Sequence, residues 1–138
     1  MKYIFDTNTL SFLMKGRPAV AQALLTKSRA DVLVPQTVVA EIEYGLSRLP
    51  HSKKKDRLRQ RFELFLTELS RAEWSDDVSR LFGETKASLE RKGVRLEDFD
   101  VAVAAHALAL DATLVTDNTE HLNRVTGLTI ENWNRQVD

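Results

Sequence analysis

The chain has 138 residues, with 20 basic and 20 acidic side chains and a formal net charge of zero, so no global charge argues for a nucleic-acid or membrane partner. It contains no cysteine, which excludes disulfides, thiolate zinc sites and thiol nucleophiles and suits a cytoplasmic setting. With 43% apolar and 29% charged residues it can bury one ordinary core, and a single domain over residues 1–138 is expected. The N-terminal stretch lacks a long apolar run, so no export signal is expected. The most apolar window, Phe99 to Leu110, is too short to cross a bilayer.

Lys2-Tyr3-Ile4-Phe5 reads as a short buried strand, and Asp6-Thr7-Asn8-Thr9 follows at its end. Leu10 to Met14 suggests a short helix capped by Asn8 or Thr9 and stopped by Gly16. Pro18 opens a second helix, Ala19 to Lys27. Val32-Leu33-Val34 is a continuous apolar triplet, as expected of a parallel strand covered on both faces, and Pro35 ends it. Thr37 to Leu49 carries Val38, Val39, Ile42, Leu46 and Leu49 at helical spacing. Ser52 to Leu69 is a longer helix with Leu58, Phe62, Phe65, Leu66 and Leu69 on one face and a basic first half. Ala72-Glu73-Trp74 is a candidate edge strand. Ser75 caps the next helix, with Asp76 and Asp77 in the dipole-favoured first turn, Val78, Leu81, Phe82, Thr85 and Leu89 inward, and Gly93 at the end. Asp98 to Leu110 is apolar on nearly every side and therefore central. Thr113 to Thr116 is a strand followed by Asp117-Asn118, and Leu128-Thr129-Ile130 is a last short strand. Strands alternating with helices predict an α/β/α sandwich around a mainly parallel sheet, with right-handed crossovers.

In such a sheet, ligands bind outside the C-terminal ends of the strands. Asp6 and Asp117 each follow an apolar strand and so reach that edge. Glu41 lies one turn into the helix after the second strand, and Asp100 in the first turn of the buried Ala-rich helix. Each acid alone has an ordinary reading as a cap, a turn or a solvated flank residue. Four together would repel one another in a low-dielectric cleft, which a cation relieves. An all-oxygen set selects hard ions such as Mg²⁺ or Mn²⁺ over zinc, and one or two such ions suit phosphodiester hydrolysis. Spacing alone does not choose between Glu41 and Glu43, nor between Asp98 and Asp100.

The chain resembles the PIN-domain ribonucleases, and among them the VapC-type toxins of bacterial toxin–antitoxin pairs. The resemblance is carried by Phe5-Asp6-Thr7-Asn8, by Val38 to Gly45, by Asp98 to Ala107 and by Val115-Thr116-Asp117-Asn118-Thr119. The closing Gly127-Leu128 to Glu131-Asn132-Trp133 adds to it, so that it runs in order through essentially the whole chain. It implies a PIN-like fold. It also matches Asp6, Glu41, Asp100 and Asp117 to the family's four acids, Asn8 to an Asn that orients the first, and Thr116 to a small hydroxyl residue near the fourth. Asp98 is kept as a supporting candidate. The resemblance implies a Mg²⁺- or Mn²⁺-dependent endoribonuclease, a homodimer, and inhibition by a small VapB-type antitoxin.

Two other readings are weighed against it. A phosphatase or DNA nuclease could use the same acids, and a non-catalytic binding module could hold an acidic pocket, although four acids exceed what a phosphoacceptor needs. The basic stretch Lys53 to Arg61 is either a solvated helix face or an RNA-contacting surface, with Lys54, Arg57 and Arg61 roughly on one side. His106 in its apolar helix is expected to be a core or interface residue, and Trp133 a packing anchor. No serine-hydrolase arrangement and no Gly-rich phosphate loop is present.

Overall fold

Three strands rich in β-branched and aromatic residues form the centre of the sheet: β1 (Tyr3–Phe5), β2 (Val32–Pro35) and β4 (Thr113–Val115), each buried throughout. Two edge strands, β3 (Ser70–Ala72) and β5 (Thr129–Glu131), are partly exposed. All pair in parallel, in the order β3-β2-β1-β4-β5, with Ile4 beside Leu33 on one side and Leu114 on the other. The computed structural model describes residues 1–135.

Among the described residues, seven helices flank the sheet: α1 (Thr7–Met14), α2 (Pro18–Leu25), α3 (Gln36–Ser47), α4 (Lys53–Glu68), α5 (Asp76–Arg91), α6 (Asp98–Ala109) and the short α7 (Thr119–Leu122). α3 rests on β2, α6 on β1 and β4, and α5 along α6. The run Val101 to Ala107 is buried residue by residue, and its alanines allow the close approach that a central helix needs. Phe5 has no exposed surface, and Trp133 packs on it edge-on at 5.3 Å and on Tyr3 at 5.4 Å. Truncating a side chain so enclosed costs about 3–5 kcal/mol. Among the described residues no helix is long and apolar enough to cross a membrane.

Three local expectations change. The first helix starts at Thr7 rather than Leu10, because Asp6 is its cap: its Oδ1 accepts the Thr9 amide at 2.8 Å. The edge strand is Ser70–Ala72 rather than Ala72–Trp74, because Leu69, the buried residue that follows α4, is already extended and the chain enters the sheet at once. Trp74 instead leaves the sheet and stands edge-on to His106 at 5.3 Å. α7 and a 3₁₀ turn over Arg29–Asp31 carry no periodic apolar signal and were not expected. His106 is 1% exposed and its Nδ1 has no partner, so burial holds its basicity below the ordinary value.

Strand order reverses between β1 and β4. β1 leads through α1 and α2 to β2 on one side, and β4 leads through α7 to β5 on the other. Connections diverge there, leaving a crevice above the C-terminal ends of the two strands.

Candidate active site

The crevice is a cleft of about 380 Å³ lined by Asp6, Thr7, Asn8, Glu41, Phe99, Asp100, Val103, Asp117 and Asn118. Four separated segments thus bring Asp6, Glu41, Asp100 and Asp117 to one hollow. Asp6 is set deepest, only 5% exposed. Its backbone continues the β1–β4 ladder through a bond from its amide to the Val115 carbonyl at 3.2 Å. The Thr9 hydroxyl donates to the same carbonyl at 2.9 Å, fixing the first turn of α1 against the end of β4.

Neighbouring polar side chains meet two of the other acids, Glu41 and Asp117. Thr7 Oγ1 donates to Glu41 Oε1 at 2.5 Å, tying α1 to α3 across the cleft. Asn8 Nδ2 approaches Asp117 Oδ1 at 3.4 Å, a long contact. Thr116 is fully buried, and its Oγ1 accepts the Asn118 amide at 3.0 Å, turning the chain so that Asp117 faces inward. Asn118 Oδ1 in turn meets His121 Nδ1 at 2.8 Å.

The acids leave an electrostatic imprint. Burial pushes the Asp6 carboxyl above its ordinary range. Hydrogen bonding from Thr116 and from Thr9 opposes this, while the Asp117 charge adds to it. Asp100 is raised as well, first by burial and then by the charges of Asp6 and Glu41. A cation is the natural relief for such a set. As the side chains stand, no group of three or more acidic or His side chains among the described residues is gathered to hold an ion. Glu41 is held by Thr7, and Asp117 lies beside Asn8. The donor chemistry nonetheless fits a hard divalent ion, because every side chain offered is an oxygen ligand and two of the acids gain from neutralisation.

Both pairs that spacing leaves open are separated by geometry. Glu43 points away to Arg59 (2.6 Å), and Asp98 to Lys86 (3.0 Å), so neither lines the cleft. The supporting candidates Asn8 and Thr116 touch the acid set, whereas Asp98 does not join it. Lys54, Arg57 and Arg61 do come together, with Lys15, around a separate hollow of about 350 Å³ at the other end of α1. Arg61 there donates to the Met14 carbonyl at 3.0 Å and lies against Gly16, whose left-handed φ of 75° ends α1. Sequence reasoning missed Thr7 and Phe99. The all-polar run after β1 hinted at Thr7, but its partner lies 34 residues away.

The family model described as PIN domain matches residues 3–128. The chain belongs to the PIN-domain family. Among curated relatives, this PIN domain is 33% identical to "Ribonuclease VapC2" of Rickettsia felis over 98% of its own length and 100% of the relative's. It is 26% identical to "tRNA(fMet)-specific endonuclease VapC" of Shigella flexneri, over 96% and 98% of the two chains. Among solved structures, a chain of the DNA-bound VapBC2 complex of Rickettsia felis superposes with a TM-score of 0.86 at 31% identity, covering 96% of this PIN domain and 99% of that chain. The matched span begins at β1 and ends just before β5, so it holds all four cleft acids.

Proposed function

We propose that this PIN domain is a metal-dependent endoribonuclease, the toxin of a toxin–antitoxin pair, and that it cuts RNA at the acid cleft. The observation that carries the reading is the meeting of Asp6, Glu41, Asp100 and Asp117 at the switch point of the sheet. Relatives named as VapC ribonucleases, including one named for tRNA(fMet), support RNA as the substrate class. The whole of residues 1–138 acts as one domain in this reading, in the cytoplasm.

Asp6 and Asp100 would hold Mg²⁺ or Mn²⁺, with Glu41 and Asp117 completing the anionic wall. When bound, such an ion supplies an activated water and offsets charge on the phosphate oxygens. The chain's own work is positioning. Asp6 is rigid because it caps α1 and continues the ladder to β4. Thr7, from the first turn of α1, holds Glu41 on one side, and Asn8 stands beside Asp117 on the other. Phosphate groups approaching four acids are repelled until a cation neutralises them, so hold on the backbone must come from elsewhere. Lys54, Arg57 and Arg61 with Lys15 supply it in this reading. α1 has eight residues, so its far end lies about 12 Å from Asp6 at 1.5 Å per residue.

The crystallised VapBC2 neighbour carries its antitoxin and is bound to DNA from their promoter. By analogy this PIN domain dimerises and is inhibited by a small VapB-type antitoxin that covers the cleft. An Arg placed among the carboxylates by such a partner could replace the metal's charge. The purified protein, offered single-stranded RNA, single-stranded DNA and a phosphate monoester with Mg²⁺, should cleave only the RNA. Faster turnover of DNA or of the monoester would move the assignment to another phosphoesterase class.

A further inference from the structure

Beside the acid cleft runs a second, larger groove of about 750 Å³, within the range of ligand sites. Phe99, Asp100 and Asn118 line both, so the two are continuous. Phe99 stands on the rim between them. It is the second residue of a helix whose later residues, Val101 to Ala107, are all buried, yet it is 45% exposed. Its two neighbours diverge, Asp98 to Lys86 on the groove side and Asp100 into the cleft, and Phe99 lines both hollows between them. No aromatic or cationic side chain among the described residues packs on its face. Across the groove, His121 is steadied by its bond to Asn118.

We infer that this groove seats the base of a nucleotide adjoining the scissile phosphate, stacked on Phe99. The inference rests on the nuclease reading and adds a residue that orients the substrate. Charge favours the base over the backbone. Glu90 and Glu97 line the groove, Arg95 has no acidic partner among the described residues, and Asp98 pairs with Lys86, so the lining offers a phosphate no net attraction, whereas a flat neutral ring needs none. An exposed aromatic ring next to a phosphate-cleaving centre provides such a surface, because every base has a π-face. Continuity with the cleft then fixes which base it is: one bonded to the ribose whose phosphate lies among the acids.

The test uses an RNA oligonucleotide that the wild-type protein cuts, together with copies carrying an abasic ribose at each position flanking the cut. One abasic position should raise KM by roughly 5- to 160-fold for wild type, the range that base–aromatic stacking supplies. Phe99→Ala should raise KM on the intact RNA by the same factor and be insensitive to that abasic position, while Phe99→Trp restores both behaviours. Equal abasic penalties in wild type and Phe99→Ala would overturn the inference. So would an unchanged KM in Phe99→Ala together with weakened binding of the antitoxin, which would assign the groove to the protein partner. Absence of RNA cleavage by wild type would instead strike the nuclease reading itself.

Discussion

Asp6 both caps α1 and carries a buried charge, and two substitutions separate these roles. Asp6→Asn keeps a good cap and nearly the same shape. Asp6→Ala loses the bond to the Thr9 amide, which costs about 1 kcal/mol (range roughly 0.5–2). For a chain of this length that is about 3–5 °C in melting temperature. The charge works in the opposite direction. Folded Asp6 and Asp100 are harder to ionise than the same groups in the unfolded chain, whose ordinary value is 3.8. Between the unfolded and folded values the folded state holds more protons, so stability falls as pH rises through 3.8 and beyond. At pH 7 in EDTA, Asp6→Asn should therefore melt at or above wild type and about 4 °C above Asp6→Ala. Its margin over wild type should shrink as the pH is lowered toward 3.8. Divalent metal at a hundredfold excess over its dissociation constant should then raise wild type by about 2.7 kcal/mol and the variant by less, reversing their order. Thermal melts at several pH values, with EDTA or Mg²⁺, read all of this. If Asp6→Asn melts as low as Asp6→Ala, or its margin does not change with pH, the account of a strained anionic cleft is wrong.

Other outcomes follow from particular contacts. Thr7→Val removes the hydroxyl that holds Glu41 and should lower kcat roughly 10- to 100-fold while costing only about 1 kcal/mol of stability. Lys15→Ala, Lys54→Ala and Arg57→Ala together, in a cleavage-dead background, should flatten the log affinity against log salt slope for single-stranded RNA by about 2, at about 0.7 per contact. An unchanged slope would mean that these charges only solvate the helix ends. Arg61→Ala should behave differently, lowering stability by about 1 kcal/mol because it also releases the Met14 carbonyl; chemical denaturation distinguishes the two.

Much of this architecture could be read from the sequence because the signals are local and redundant. Val32-Leu33-Val34 and Thr113-Leu114-Val115 are apolar throughout because both faces of the sheet are covered, and α6 is apolar all round because it lies over β1 and β4. The errors fall where a tertiary contact overrides a local preference. Trp74 has strong strand propensity, but the chain had already paired at Ser70, and its ring found His106 instead. For Asp6 both sequence readings hold, because its side chain caps α1 and also lines the cleft. The acid pairs Glu41/Glu43 and Asp98/Asp100 could not be split by spacing, because the deciding partners, Arg59 and Lys86, lie in other helices. Phe99 escaped notice because a lone aromatic beside two acids looks like core until its exposure is known.

The most direct measurement of the central claim is single-turnover cleavage of one RNA by wild type, Asp6→Asn, Glu41→Gln, Asp100→Asn and Asp117→Asn, each with Mg²⁺ and with excess EDTA. The account predicts cleavage by wild type only with the metal. It also predicts a loss of about a hundredfold or more in each variant, since ligand-bearing groups should cost at least as much as their outer-shell partners. Full activity in EDTA, or wild-type rates in Asp6→Asn or Asp100→Asn, would contradict it.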